Sequence, residues 1–328
     1  MEYYLKKLGH QELGSIVNNE RPKRGRYLYS SKDIKILQLF PPLSKLQKND
    51  SALLPIIPLY SGKKVYCNYV YHNDKYHGGT RNEYRIYLNS QLENNQLLFK
   101  EDDIVIIRKD ELDLEGEENQ VIYFLELVQN HKSELYKLCE DTIKNSKIQG
   151  KYGIYNGTIK KFEDKISKLK ESNNIEVAID NSVVNTIKEN NSGLEDQMAD
   201  LFTQASFRDF VMVGYGNKCA VTGEVISWNK YNNLEAAHIK PHSHGGTYLP
   251  NNGIAMCRDI HWAFDKGFFT ISDDFKIIVH NEIESEYLKS LDGKSLRLPE
   301  NNFLIPDKKN LEYHRKHVFG LFKIRGRI

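Results

Sequence analysis

Between Leu234 and Gly267 the chain changes character so often that few folds can accommodate it. A short apolar run, Leu234 to His238, ends on an imidazole. A turn-rich loop follows, carrying Pro241, the Gly245–Gly246 pair and Pro250. Asn252 opens a second apolar run, Ile254 to Cys257, and a helix-like segment then sets His261 and Asp265 four residues apart. That interval puts both side chains on one helical face. The expected unit is strand, loop, strand, helix, compact enough to gather three polar groups around one pocket.

Taken singly, each residue has an ordinary explanation. A histidine at a strand end is usually held by structural hydrogen bonds. A His–Asp pair at i and i+4 is usually solvated and worth a few tenths of a kcal/mol. An asparagine before glycine is most simply a turn residue. Their order is what changes the reading. Cleaving a phosphodiester takes a base to activate water and a cation to neutralise the developing charge. Histidine titrates near neutrality and suits the first task, for a gain of about 10²–10⁴-fold. A Lewis acid must then supply several kcal/mol more. His261 with Asp265 forms a two-ligand platform that leaves room for water and phosphate oxygens.

Cys219-Ala-Val-Thr-Gly223, then AAHIKP, Asn252-Gly253 and IHWAFDKG stand in an order that resembles the HNH family of ββα-metal nucleases, over about residues 204–322. The resemblance implies that His238 is the general base and that His261 and Asp265 hold the metal. Asn252 would brace the loop and orient His238, or approach the ion itself. Family members often carry Asp or His directly before the basic histidine, where this chain has Ala237. Either two side chains, water and DNA hold the ion, or Glu235, two residues back on the same strand face, joins them. Mg²⁺ is the expected ion, with Mn²⁺ also serving. Double-stranded DNA is the implied substrate, left with 5′-phosphate and 3′-hydroxyl ends. Cutting both strands implies a homodimer on a two-fold site, or sequential nicking.

Many such nucleases also hold a structural zinc on paired CxxC knuckles. The four cysteines here, Cys67, Cys139, Cys219 and Cys257, form no such pair. The partner positions read Thr222 and Ile260, so structural zinc is not expected.

Ahead of this part the pattern is repeatedly β. VYCNYVYH, EYRIYL, DIVIIRK and VIYFLELV are short runs of β-branched and aromatic residues separated by polar turns. Alternation in the second puts Tyr84, Ile86 and Leu88 on one face and Glu83, Arg85 and Tyr87 on the other. The loop before it, His72 to Asn82, carries Lys75, Arg81 and paired glycines, the composition of an arm that enters a DNA groove. These segments resemble the plant B-three-like pseudobarrel used for recognition in some restriction enzymes. An SRA-like or PUA-like pseudobarrel that binds a modified base gives a similar pattern. The candidate DNA contacts are Lys75, Arg81, Arg85 and Tyr87, Arg24 from the cluster Arg21–Arg26, and Lys240 and His242 in the nuclease loop. The tyrosines, Tyr69, Tyr71, Tyr76 and Tyr87 among them, read as sheet packing more than as base-stacking platforms.

At 328 residues the chain can build two cores. The expected architecture is α+β. Residues 1–170 form a β-rich pseudobarrel recognition domain with a helical connector, the Asn- and Ser-rich 171–193 a linker, and 194–328 the ββα-metal nuclease. Ser192 and Glu195 match a capping box that would start a helix running to Tyr215. GFFTISDDFKIIVH reads as a hairpin turning at Ser272–Asp274, and the tail from His314 to His317 as a basic helix face. A net charge of +2 permits nucleic-acid binding without requiring it. The start lacks the pattern of a signal peptide, and no apolar run reaches membrane-spanning length, so a cytoplasmic protein without a membrane partner is expected.

The function expected on these grounds is a metal-dependent DNA endonuclease of restriction type. A modification-dependent restriction endonuclease is the first alternative. A non-catalytic DNA-binding protein on a decayed HNH scaffold, for which Ala237 is the hint, is the second.

Overall fold

A computed structural model describes residues 1–14, 25–112, 119–172, 175–190, 198–229 and 231–323. The chain divides into two compact units, Met1–Gly193 and Leu194–Ile328. Among the described residues no helix is long and apolar enough to cross a membrane.

The first unit is built on one curled sheet. Its strands are β1 (Glu2–Lys7), β2 (Tyr27–Ser30), β3 (Ser51–Pro58), β4 (Lys64–His72), β5 (Glu83–Tyr87), β6 (Ile104–Leu112), β7 (Gln120–Val128), β8 (Tyr152–Asn156) and β9 (Val177–Ala178). Their order is β2-β5-β4-β3-β7-β6-β1-β8, with β9 on β4. The β3–β7 and β4–β9 pairs are parallel and the others antiparallel.

Period-two alternation gives this sheet two apolar faces. On one, Tyr4, Ile56, Val105, Ile107 and Leu125 join Tyr69 and Tyr71. On the other, Tyr3, Leu5, Ile57, Ile106 and Phe124 meet Tyr136 and Cys139 of α1 (Glu134–Lys144) and Phe162 and Ile166 of α2 (Lys160–Ser172). Tyr71 and Tyr84 stack with centroids 4.0 Å apart, so both rings are spent on packing.

The expected linker is partly folded. Within 171–193, β9 pairs Lys64 with Val177, and α3 (Asn181–Asn190) buries Val183, Val184 and Ile187. The polar composition there has a structural use. Asp180 accepts hydrogen bonds from the backbone of Ser182 at 2.7 Å and of Ser90 at 2.8 Å, tying the segment to the sheet.

In the second unit, α4 (Gln204–Gly214) starts later than the sequence suggested. Thr203 and Ser206 cap it reciprocally, each side chain meeting the other's backbone N–H. The proposed cap at Ser192 and Glu195 lies outside the described residues. The turn Cys219–Gly223 follows, with Gly223 in the left-handed region and Ala220 N–H bonded to Ala255 C=O at 2.8 Å. A hairpin of β10 (Ser227–Trp228) and β11 (Tyr231–Asn232) leads into β12 (Leu234–His238). Then come β13 (Gly253–Cys257) and α5 (Arg258–Asp265). The strand–loop–strand–helix unit is therefore present. Behind it, β14 (Phe269–Ile271) and β15 (Ile277–Val279) form the expected hairpin, with Phe275 N–H bonded to Ser272 C=O.

On α6 (Lys308–His317) one expectation changes. His314 is not part of a basic outer face. It is 1% exposed, lies flat on Phe264 at 3.7 Å, and bonds Thr270 Oγ1 and Phe264 C=O.

Candidate active site

The β12–β13 pair sets Leu234 opposite Cys257 and His238 opposite Gly253. Leu234, Ala237, Ile254 and Met256 are buried with Ile260 and Phe264 of α5, so the apolar residues of all three elements form one core. Ala237 is fully buried and offers no ligand. Gly253 is required by close approach. A Cβ there would fall 2.4 Å from Val211 Cγ2 and 2.7 Å from Phe207 Cε2, so any side chain would push α4 away.

That closeness brings Phe207 onto His238, with ring centroids 4.3 Å apart and planes 17° from parallel. Tyr248 stands edge-on at 5.6 Å. Burial first, then repulsion from the nearby His242 and His261, pulls the His238 imidazole down to about 4, so the ring is neutral at ordinary pH. Its Nε2 is buried and has no hydrogen-bond partner among the described residues. A buried polar atom in that state costs about 1–3 kcal/mol, and such exceptions call for a reason.

The loop between the strands is held by Asn252, itself fully buried. Its Oδ1 accepts from Lys240 N–H at 2.9 Å, and its Nδ2 donates to the carbonyls of Lys240 at 3.1 Å and Thr247 at 3.0 Å. Both ends of the side chain are committed to backbone two residues beyond His238. Asn252 thus ties the start of the loop at Lys240 to its far side at Thr247. Gly246 completes the closure, since a Cβ there would sit 1.9 Å from Lys240 C=O.

On α5 the i, i+4 spacing works as expected. His261 Nε2 lies 3.3 Å from Asp265 Oδ2. Glu235 also reaches His261, but at the other nitrogen, with Oε2 2.7 Å from Nδ1. The two carboxylates flank the ring rather than converging. Among the described residues no group of three or more His, Cys, Asp or Glu side chains is placed to hold a metal. Glu235 thus stands on the Nδ1 side of the ring, away from Asp265. If Nδ1 donates its proton to Glu235, the Nε2 lone pair faces the Asp265 carboxylate. Two lone pairs at 3.3 Å need a proton or a cation between them. Partial burial raises the Asp265 carboxyl above its usual range, against the lowering pull of His261 and Lys266. An imidazole nitrogen and one carboxylate, both partly exposed, fit a hard divalent ion that keeps its remaining sites for water and phosphate.

Sequence reasoning missed two neighbours. Phe207 comes from α4, outside the motif, and no periodicity relates it to His238. Arg258, the first residue of α5, places Nε 3.0 Å from Glu235 Oε1 and is 71% exposed. An ion pair that open contributes little on its own.

The candidate DNA contacts fall in both units. His242 stacks on Tyr248 at 4.7 Å, and Lys240 Nζ lies 5.1 Å from the Tyr313 ring. In the first unit, Arg85 and Tyr87 sit on the outer face of β5, as alternation implied. Arg85 pairs with Glu83 and lies 4.0 Å over the Tyr27 ring, while Tyr87 hydroxyl meets His72 Nε2 at 2.8 Å. Arg81 pairs with Asp74, and Lys75 is exposed. Arg24 lies outside the described residues. Its neighbour Arg26 is 2% exposed and bonded to Glu93, Leu13 C=O and Phe99 C=O. That cation holds the core.

Residues 219–272 match a family model described as an HNH endonuclease. Among solved structures, a chain titled "Modification dependent TagI restriction endonuclease" is similar at 24% identity and a TM-score of 0.31. The match covers 38% of this chain and 41% of that one, so less than half of either is compared. A search of curated proteins finds no match. The matched segment contains His238, Asn252, His261 and Asp265 on the strand–loop–strand–helix frame. Through residues 219–272, the second unit carries an HNH endonuclease domain.

Proposed function

We propose that the protein is a metal-dependent DNA endonuclease of restriction type, in which the β-rich unit reads a site and the HNH unit cuts one strand. The observation that carries the assignment of roles is the state of His238. It is a neutral imidazole whose buried Nε2 has no hydrogen-bond partner among the described residues, at the end of the strand whose Glu235 meets His261. An unsatisfied polar atom at this position has a use if the ring accepts a proton from water during attack on phosphorus. Phe207 keeps the ring uncharged and fixes its plane. Asn252 holds the loop that follows it.

His261 Nε2 and Asp265 would hold the ion, with Glu235 orienting the imidazole from behind. Mg²⁺ is the proposed ion, with Mn²⁺ able to replace it. When bound, such an ion neutralises charge on the phosphate and on the leaving oxygen. Lys240 and His242, in the loop beside His238, are proposed phosphate contacts. Lys75, Arg81, Arg85 and Tyr87 are proposed contacts of the reading unit. Cutting both strands would take two protomers or two successive nicks.

Incubating the full chain with unmodified and with methylated plasmid, with Mg²⁺ and with excess chelator, tests this reading. Cleavage that requires the ion and falls at least 100-fold in His238→Ala, with gel-shift binding retained, is the expected result. Unchanged cutting by that variant removes the proposed base. Undiminished cutting in chelator removes the ion. Comparing the two plasmids shows whether a modified base is required.

A further inference from the structure

One exposed apolar surface of the second unit has no use in the mechanism above. In the β10–β11 hairpin, Trp228 is 75% exposed, Tyr231 54% and Ile226 76%. Trp228 and Tyr231 are register partners, with parallel rings 6.3 Å apart. Asn229, directly after Trp228, lies in the left-handed region. Ile226 lies two residues before Trp228, and its backbone is tied to Asn233. A cross-strand aromatic pair does help a short hairpin close. Closing the hairpin does not account for a third large apolar side chain standing in solvent beside it.

We propose that this hairpin is a stacking surface for DNA bases next to the cleavage site. The proposal rests on the nuclease reading above and adds what the hairpin touches. Two observations favour DNA over another occupant. The hairpin runs without interruption into β12. Its base is also tied to α5, because Asn233 C=O accepts the Arg258 backbone N–H at 2.9 Å. Tyr231 stands seven residues before His238, a span of roughly 23 Å if fully extended. With a rise of about 3.4 Å per nucleotide, that span corresponds to at most roughly seven nucleotides, within reach of a strand engaged at His238. Arg258 is exposed beside Glu235 of β12 and is suited to a phosphate backbone. A flat aromatic pair next to a cation is the combination that binds unstacked bases irrespective of sequence.

The chain has two tryptophans, Trp228 and Trp262, so Trp262→Phe leaves Trp228 as the only indole reporter without touching the hairpin. This variant is titrated with a 20-nucleotide single strand and with a 20-base-pair duplex, in Ca²⁺ to slow cutting. Quenching of Trp228 emission on binding is expected. Trp228→Ala/Tyr231→Ala is expected to lose roughly 5- to 100-fold in affinity for the single strand, with its circular dichroism unchanged. Binding with Trp228 emission unmoved overturns the proposal, and needs no change at the hairpin. So does a double variant that binds DNA normally but has lost self-association in sedimentation, because the surface then belongs to a second copy. Quenching by a protein that cuts no DNA under any ion would leave the stacking surface standing and remove the nuclease reading instead.

Discussion

The imidazole of His238 lies flat on the phenyl ring of Phe207, with centroids 4.3 Å apart, although 31 residues separate them in the chain. The contact covers one face of the proposed base and contributes to its burial. His238 titrates at about 4 because burial disfavours the imidazolium and the neighbouring histidines repel it.

A pH dependence follows, and its sign is fixed by the direction of the shift. The unfolded chain takes up this proton near 6.5 and the folded chain only near 4. Between those values the unfolded state binds more protons. Stability is therefore full above about 6.5 and declines as pH falls toward 4. His72, held down to about 4, and His314, to about 3, both chiefly by burial, act in the same direction. Urea midpoints should fall steadily from pH 7 to pH 4. In a histidine NMR titration, His238 should stay neutral at pH 5.5 and shift upward in Phe207→Ala. A wild-type midpoint above 6 for this ring would contradict the account.

Glu235 meets His261 at Nδ1 while Asp265 meets it at Nε2, which assigns the two carboxylates different work. Glu235→Gln keeps an acceptor but loses the charge behind the ring. It should weaken Mn²⁺ binding, measured calorimetrically, by about 10- to 100-fold. His261→Ala should leave no binding to measure. Equal and complete loss in both variants would return Glu235 to the role of direct ligand.

Asn252 makes three hydrogen bonds to loop backbone, and its two ends are not equivalent. Asn252→Ala strips partners from Lys240 N–H and from two carbonyls, at about 1–3 kcal/mol for each group left buried and unpaired. Asn252→Asp should be worse for folding, since it turns an oxygen toward both carbonyls. Thermal melting that ranks Asp above Ala in stability would mean that the loop is held some other way. Both variants should cut more slowly, because the loop starts directly after His238.

The β-rich first half, the ββα unit and the contact of His261 with Asp265 were legible in the residue order. They depend on local regularities, namely two-residue alternation, four-residue helical spacing and turn residues at fixed places. The i, i+4 contact between His261 and Asp265 needs only a helix, and β5 needs only its alternation to present Arg85 and Tyr87. Composition misled where polar residues had structural work. Asp180 and its neighbours anchor a segment that reads as a linker, and Arg26 in a basic cluster serves a buried ion pair. The Phe207 stack, the approach of α4 allowed by Gly253 and the choice of nitrogen that Glu235 meets came only from the tertiary structure. Each joins elements whose separation along the chain carries no period. What brings them together is the closing of one apolar core, which a local pattern can predict to exist but cannot orient.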